Sequence, residues 1–345
     1  MPTNPPLLLV LDGNSLLHRA YHAGAGDGWS DHDGRPIWAL RGLVGFIARA
    51  AAYLRPDALI VGFDCPHDSA RRDDYPGYKA HRPEKAADLA EQILGAPALL
   101  TAAGVRTLCP PAYEADDVLA SSAATARAAG WRSVLMTSDR DAFALIDEAT
   151  SVLRVRNGGF DEAMLVDAAG LVELCGVEPW QYRDFAALRG DPSDNLPGVR
   201  GFGETTAAKL LAAFGSIDTV WAALDSGQGH LVREAVGDAA AKQLGAAGVR
   251  EVVERNQRLM RMRTDLPVPD LESARLPLSL ATFRTALRAR GINLGPSLWA
   301  LTGGVPPQRD PSPREEDPIP DLRPWVIRGG MSGRRDPTPG QLSLF

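Results

Sequence analysis

Three apolar runs of this chain each end in an aspartate, and no other feature constrains the fold as tightly. LLLVL (Leu7–Leu11) runs into Asp12, ALIVGF (Ala58–Phe63) into Asp64, and SVLMTS (Ser133–Ser138) into Asp139, with Asp141 two residues on. Short continuous apolar runs of this kind are strand-like and buried on both faces. Apolar residues recur at helical spacing between them, over Trp38–Leu54 and Ala86–Ala103. Val105–Leu108 predicts a fourth short strand, and Tyr113–Ala129 a third helix. Strands alternating with helices predict an α/β fold, a parallel sheet flanked by helices. Ligands of open parallel sheets bind at the carboxyl ends of the strands, so Asp12, Asp64, Asp139 and Asp141 meet on one edge. Singly, each aspartate has an ordinary explanation as a helix cap or turn residue; together they point to a site.

Two further acidic clusters join them. YEADD sets Glu114, Asp116 and Asp117 at the start of a helix, where the helix dipole also favours carboxylates, and GDPSDN sets Asp191 and Asp194 three apart in a turn. Nine carboxylates facing one cleft repel and raise one another's pKa values. Hard divalent cations relieve this, and Mg²⁺ or Mn²⁺ fits best because no His or Cys accompanies the set. Several carboxylates in one cleft suit two-metal phosphodiester hydrolysis.

Two stretches have the composition of nucleic-acid contacts. LPGVRGFGETTAAKLLAAF carries Gly198, Gly201 and Gly203 in a hairpin that opens a helix near Thr205, resembling a helix–hairpin–helix, with Arg200 and Lys209 nearby. Such glycines let backbone N–H groups approach a phosphate without reading sequence; a plain turn between helices is the ordinary alternative. RRDDYPGYKAHR, residues 71–82, interleaves Arg71, Arg72, Lys79 and Arg82 with Tyr75 and Tyr78, cations for phosphates and rings for bases; a solvated basic loop has the same composition. The formal net charge of −6 opposes nucleic-acid binding only if the acids are spread evenly, and here they are concentrated. Cys65, Cys109 and Cys175 have no metal-type spacing and suggest a reducing compartment. No run of eighteen apolar residues predicts a membrane span, and the start lacks the basic flank of a signal peptide.

In this order, LVLDGNSLLHRAYHA, the Asp64 segment with YKAHR, YEADD, TSDRD and GDPSDNLPGVRGFG resemble the 5′–3′ exonuclease (flap endonuclease) family, from about Leu7 to Gly304. The chain is similar to a free-standing version of the nuclease domain of bacterial DNA polymerase I. The resemblance implies a PIN-like sheet with a helical helix–hairpin–helix (H3TH) subdomain: a nuclease core over 1–175 with a basic helical arch at about 65–90, then a helical DNA-binding region over 176–304. It implies one metal site from Asp12, Asp64, Glu114 and Asp116, and a second from Asp139, Asp141, Asp191 and Asp194, with Asp117 adjacent. Lys79 and Arg71 take catalytic places near the phosphate; Arg82 belongs to the arch, and Tyr21 stacks on a base. A monovalent cation such as K⁺ accompanies the H3TH hairpin. The implied substrates are DNA with 5′ flaps, nicks or RNA primers, cut by a cytoplasmic, nucleoid-associated monomer. Two positions depart from the family: Thr205 stands where Lys is common, and Ala144-Leu145 where Gln-Leu is common.

Two other readings share parts of this pattern. An acidic PIN-type ribonuclease has a similar sheet but is much shorter and lacks the hairpin. A DNA-binding adaptor without chemistry would not need the complete acidic set. Beyond Gly304, residues 305–345 are rich in Pro and charge without period, which predicts a disordered tail. Its last residues, QLSLF, resemble the peptide by which bacterial replication and repair proteins dock on the sliding clamp. Gln341, Leu342, Leu344 and Phe345 are then the docking residues, and the tail is the tether.

Overall fold

The computed structural model describes residues 4–24, 28–156, 159–294 and 298–306. The proposed docking peptide and almost all of the expected tail lie outside the described residues. The three aspartate-terminated runs form β1 (Leu7–Asp12), β2 (Ala58–Gly62) and β4 (Arg132–Thr137), and β3 (Arg106–Leu108) is the short fourth strand. The sheet order is β3-β2-β1-β4-β5-β6, with β5 at Thr150–Arg156 and β6 at Gly159–Val166. All pairings are parallel except β5 with β6. A sixth strand that the apolar runs did not announce, β6, continues to Val166 before the helices begin. Its pattern is half-exposed, with Asp161 and Glu162 facing water, as an antiparallel edge strand tolerates.

Both faces of the sheet are covered, because successive side chains of a strand point to opposite sides. Leu9 and Leu11 of β1 pack with α1 (Gly13–Gly24), α2 (Trp38–Leu54), α4 (Ala87–Ala102) and α13 (Leu280–Ala289). Leu8 and Val10 pack on the other side with α5 (Ala115–Ala128). That second core runs on without interruption into the helical region, reaching Leu210, Val220, Val232 and Val253. These lie on α8 (Glu204–Phe214), α9 (Ile217–Asp225), α10 (Gly229–Val236) and α12 (Val249–Leu259). Two buried polar side chains pin these helices together. Asn256 donates to the carbonyls of Ala187 and Pro197, and Asp184 accepts from the Ile217 N–H and the Gln257 amide. Among the described residues no single helix is long and apolar enough to cross a membrane.

Strand order reverses between β1 and β4, since the chain moves outward from β1 through β2 to β3 and then returns on the other side. That switch point opens a crevice at the carboxyl edge, which is where Asp12 and Asp139 stand. The acids of GDPSDN reach the same edge on a small hairpin, β7 (Gly190–Asp191) and β8 (Leu196–Pro197), that follows α7 (Tyr182–Arg189). The hairpin closes on two glycines. A Cβ on Gly198 would lie 2.1 Å from the Arg189 carbonyl carbon, and one on Gly190 would lie 2.2 Å from the Gly198 nitrogen, with φ +72. Gly190→Ala or Gly198→Ala is therefore expected to cost about 3 kcal/mol or more in urea unfolding. A loss under about 0.5 kcal/mol, within the range of an ordinary surface change, would mean that the hairpin does not close as described.

Candidate functional site

Each acid of the crevice is held by the element that delivers it. Asp12, the last residue of β1, accepts from the Ser15 N–H at 2.9 Å and from the Thr137 hydroxyl of β4 at 2.8 Å. Asp64 accepts from Asn14 Nδ2 and from the N–H of Ala115, both at 2.9 Å, which joins the end of β2 to the starts of α1 and α5. Glu114 is the N-cap of α5 and Asp116 lies in its first turn. Asp139 accepts from the Asp141 N–H at 2.9 Å, and its own N–H donates to the Thr137 hydroxyl. Asp191 accepts from the Ser193 N–H, and Asp194 follows in the same hairpin.

These carboxylates act on one another electrostatically. Burial, with Asp64 beside it, pushes Asp12 up to about 7. Burial and then Asp139 and Asp12 hold Asp116 well above the usual carboxylate range. Asp141 is raised by burial and by Asp139, Asp191 and Asp194. Asp64 is raised by burial and Glu114. The Oδ1 of Asp116 is buried and has no hydrogen-bond partner among the described residues, a costly state for a carboxylate oxygen. Among the described residues no three of these side chains already close into a ligand cage. Even so, an oxygen-only donor set with an orphaned buried oxygen and mutually raised acids fits hard divalent cations. Such ions would draw the carboxylates together.

Asp117 has a different place from the one expected beside the metal ligands. It is fully buried, and its two oxygens accept four hydrogen bonds. Two come from Arg71 at 2.7 and 2.9 Å, one from the Glu114 N–H and one from the Arg263 N–H. No acceptor position is left for an ion. Arg71, expected beside the phosphate, is spent in the same network: its Nε donates to the Leu259 carbonyl and its Nη1 also reaches Glu114 at 3.3 Å. Burial opposes the Arg71 charge, but Asp117 and Glu114 outweigh it and hold it ionised. Arg71 and Asp117 thus pin the segment after α12 to the start of α5, and so position Glu114 and Asp116.

The expected helical arch is also absent in that form. Between residues 65 and 86 only α3 (Ala70–Asp74) is helical, and the segment lies down on the acids. Lys79 donates to Glu114 Oε2 at 3.0 Å and Arg82 to Asp194 Oδ1 at 2.6 Å. Burial would raise the Glu114 carboxyl, but Lys79 and Arg71 overcome it and hold it down. Tyr78, grouped by composition with base-stacking rings, is buried with its hydroxyl on Glu114 at 3.0 Å. Arg72, by contrast, is exposed. Tyr21 lies against Trp38 at 5.3 Å between ring centroids, and its hydroxyl donates to Asp88, so it is not a free platform. Beyond the acids, Gly201, Gly203, Arg200 and Lys209 are exposed around the start of α8, with Gly198 at the hairpin base, so these residues share one accessible patch. Asn14, Thr137 and Arg263 are contributors that sequence reasoning missed. Thr137, which directly precedes Ser138-Asp139, offered a local signal; Arg263, 146 residues from Asp117, offered none.

Arg71→Ala leaves Asp117 buried with only backbone donors, so a loss of about 3 kcal/mol in denaturant unfolding is expected. Arg71→Lys recovers part of it. If Arg71→Ala unfolds like the wild type, the pin does not exist.

Residues 7–176 match the 5′–3′ exonuclease N-terminal resolvase-like domain, and residues 177–280 the 5′–3′ exonuclease C-terminal SAM fold. A 5′–3′ exonuclease of Streptomyces coelicolor is 39% identical over 281 residues, covering 77% of this chain and 89% of that protein. DNA polymerase I of Mycobacterium bovis is 37% identical over 263 residues, covering 76% of this chain, but the chain spans only 28% of that relative's length. Two solved structures share the fold. The T5 D15 protein co-crystallised with metal ions has a TM-score of 0.58 at 20% identity, covering 74% of this chain and 89% of its own. The catalytic core of Rad2 in complex with DNA substrate has a TM-score of 0.52 at 15% identity, covering 83% and 88%. With both family matches in sequence and a near-full-length relative, this chain belongs to the 5′–3′ exonuclease family.

Proposed function

We propose that this chain is a metal-dependent 5′ nuclease that hydrolyses phosphodiesters of DNA at 5′ flaps, nicks and RNA-primer junctions. The observation that carries the reading is the gathering of eight carboxylates from separate elements on one sheet edge, where burial and neighbouring acids raise Asp12, Asp64, Asp116 and Asp141, with Asp116 Oδ1 left orphaned among the described residues. Asp12, Asp64, Glu114 and Asp116 would hold one divalent ion, and Asp139, Asp141, Asp191 and Asp194 a second. Mg²⁺ or Mn²⁺ held there supplies charge to polarise the phosphate and acidify water. Water attacks phosphorus in line as the bond to the 3′ oxygen breaks, so that oxygen leaves with a proton and the product keeps a 5′-phosphate.

Within that reaction the chain's own residues orient and neutralise. Lys79 and Arg82 are the cations nearest the acids that are not already fixed to Asp117. With Glu114 and Asp194 engaged in holding an ion, Lys79 and Arg82 would be free to face the charge developing on the phosphate. Lys79 is thus the proposed catalytic cation, and Arg71 a positioning residue. The exposed loop of Gly198, Arg200, Gly201 and Gly203, with Lys209 behind it, would grip the duplex backbone with a K⁺ ion. Gln341, Leu342, Leu344 and Phe345 would dock the enzyme, working as a monomer in the nucleoid, on a sliding clamp.

Asp139→Ala and Asp191→Ala are each expected to lower cleavage of a 5′-flap substrate in Mg²⁺ by about a thousandfold or more, since each removes charge from the transition state. Binding of the flap should persist. Cleavage by both variants at the wild-type rate overturns the reading. Deleting Gln341–Phe345 should leave flap cleavage intact and abolish clamp binding in calorimetry; a truncated chain that binds as tightly as the full one refutes the docking role.

A further inference from the structure

Two cysteines flank Asp64, and the reaction as described uses neither. Cys65 follows Asp64 directly, and Cys109 is the first residue after β3. β2 and β3 run in parallel with Gly62 opposite Leu108, and the Phe63 N–H donates to the Leu108 carbonyl, so the two segments leave the sheet side by side. Beyond the strands their loops stay joined. The Cys65 N–H donates to the Tyr113 carbonyl at 2.9 Å and the Ala70 N–H to the Ala112 carbonyl at 2.8 Å. The Cys109 thiol reaches across and donates to the Asp64 carbonyl at 3.3 Å. Cys109 is exposed, Cys65 is half-buried, and both are free thiols.

A carbonyl oxygen lies about 2.8 Å from the next Cα across a planar peptide. The Cys109 sulfur therefore stands within about 6 Å of the Cys65 Cα, and the two thiols are close enough to act on each other electrostatically. A disulfide holds its two Cα atoms within about 7 Å, so rotation of the exposed Cys109 and a small approach of the two loops join the sulfurs. The bond also changes what Asp64 feels. A disulfide sulfur carries no proton, so the Asp64 carbonyl loses its donor, while Asn14 and the Ala115 N–H still hold the carboxylate. Cys65 opens the loop into α3, which carries Arg71 and leads on to Lys79. Closing the bond thus pulls at once on Asp64 and on the cover over the acids. In reducing compartments such bonds are transient and redox-sensing rather than structural.

We propose that Cys65 and Cys109 form a reversible disulfide site beside Asp64, oxidised by small-molecule disulfides, and that closing it lowers cleavage. The effect on cleavage rests on the nuclease reading; the bond itself does not. The exposed Cys109 sulfur attacks one sulfur of the small disulfide, whose S–S bond breaks and releases one half as a thiol. Cys65 then attacks the Cys109 sulfur of that mixed disulfide, and the second half leaves as a thiol. The two cysteines lose two electrons and two protons, and the oxidant ends as two thiols carrying them. A dithiol reductant reverses both steps.

The test treats the full chain with hydroxyethyl disulfide or with dithiothreitol, maps its peptides by mass spectrometry without reduction, and measures 5′-flap cleavage in Mg²⁺. The oxidised chain should yield one peptide pair joined through Cys65 and Cys109, with the buried Cys175 unmodified. Its cleavage should fall about ten- to hundredfold, the range for losing a group that orients a metal ligand, and dithiothreitol should restore it. Cys109→Ser keeps a donor for the Asp64 carbonyl but cannot form the bond, so in oxidant it should cut as the reduced wild-type chain does. Cys65→Ser should stop at a mixed disulfide on Cys109 and also escape the loss. No joined peptide, a mixed disulfide on Cys109 that persists in the wild type, or a bond between two chains overturns the proposal and leaves the nuclease reading standing. So does a joined chain that cuts at the reduced rate. A reduced wild-type chain that cuts no flap refutes the nuclease reading and with it the effect on cleavage, while the peptide map still decides the bond.

Discussion

Repulsion among carboxylates is the constraint around which this molecule is arranged. The sheet brings Asp12, Asp64 and Asp139 to one edge because each follows a parallel strand; Asp141 lies two residues after Asp139, and α5 and the β7–β8 hairpin add four more acids. Left alone, such a set would drive the edge apart. Burial and mutual repulsion already push several of them toward the protonated form. The chain answers with Lys79 and Arg82, which lie over Glu114 and Asp194. It also leaves an oxygen of Asp116 that no group among the described residues satisfies. A divalent ion is the compensation that fits all three observations.

The helical region is part of this arrangement. Its core is continuous with the face of the sheet that α5 covers. Two of its backbone groups, the Leu259 carbonyl and the Arg263 N–H, are tied to the start of α5 through Arg71 and Asp117. A strain that moves α12 therefore reaches Glu114 through a chain of short, buried hydrogen bonds. The exposed loop before α8 is connected to the same edge from the other direction, through Glu204, Arg140 and Arg189.

The fold and most of the acids were legible in the sequence because both rest on local signals. Apolar runs of strand length, helical spacing between them and an aspartate at each strand end require no knowledge of distant contacts. Helix α2 falls on Trp38–Leu54 as its periodicity predicts. Strand β6 was not legible, because an edge strand with Asp161 and Glu162 on its wet side lacks the continuous apolar signal of the central strands. Nor did anything local separate Asp117 from Asp116. The two carboxylates are adjacent, and the difference between an orphaned oxygen and a fully occupied one comes from Arg71 and Arg263, which are remote in sequence. The stretch around Tyr78 and Lys79 illustrates the same limit. Its composition suits a nucleic-acid contact and an ion-paired cover equally well, and only the fold distinguishes them.

The most direct test of this account is thermal unfolding of the full chain near neutral pH, with and without Mg²⁺ or Mn²⁺. An ion that binds only the folded acids stabilises by about 2.7 kcal/mol at a hundredfold excess over its Kd. The account predicts a clear rise in Tm with either ion, and a much smaller rise in Asp116→Asn, whose metal-free form is no less stable than the wild type because one repelling charge has gone. An unchanged Tm in both ions would contradict it, since the crowded carboxylates would then be stabilised by the protein alone.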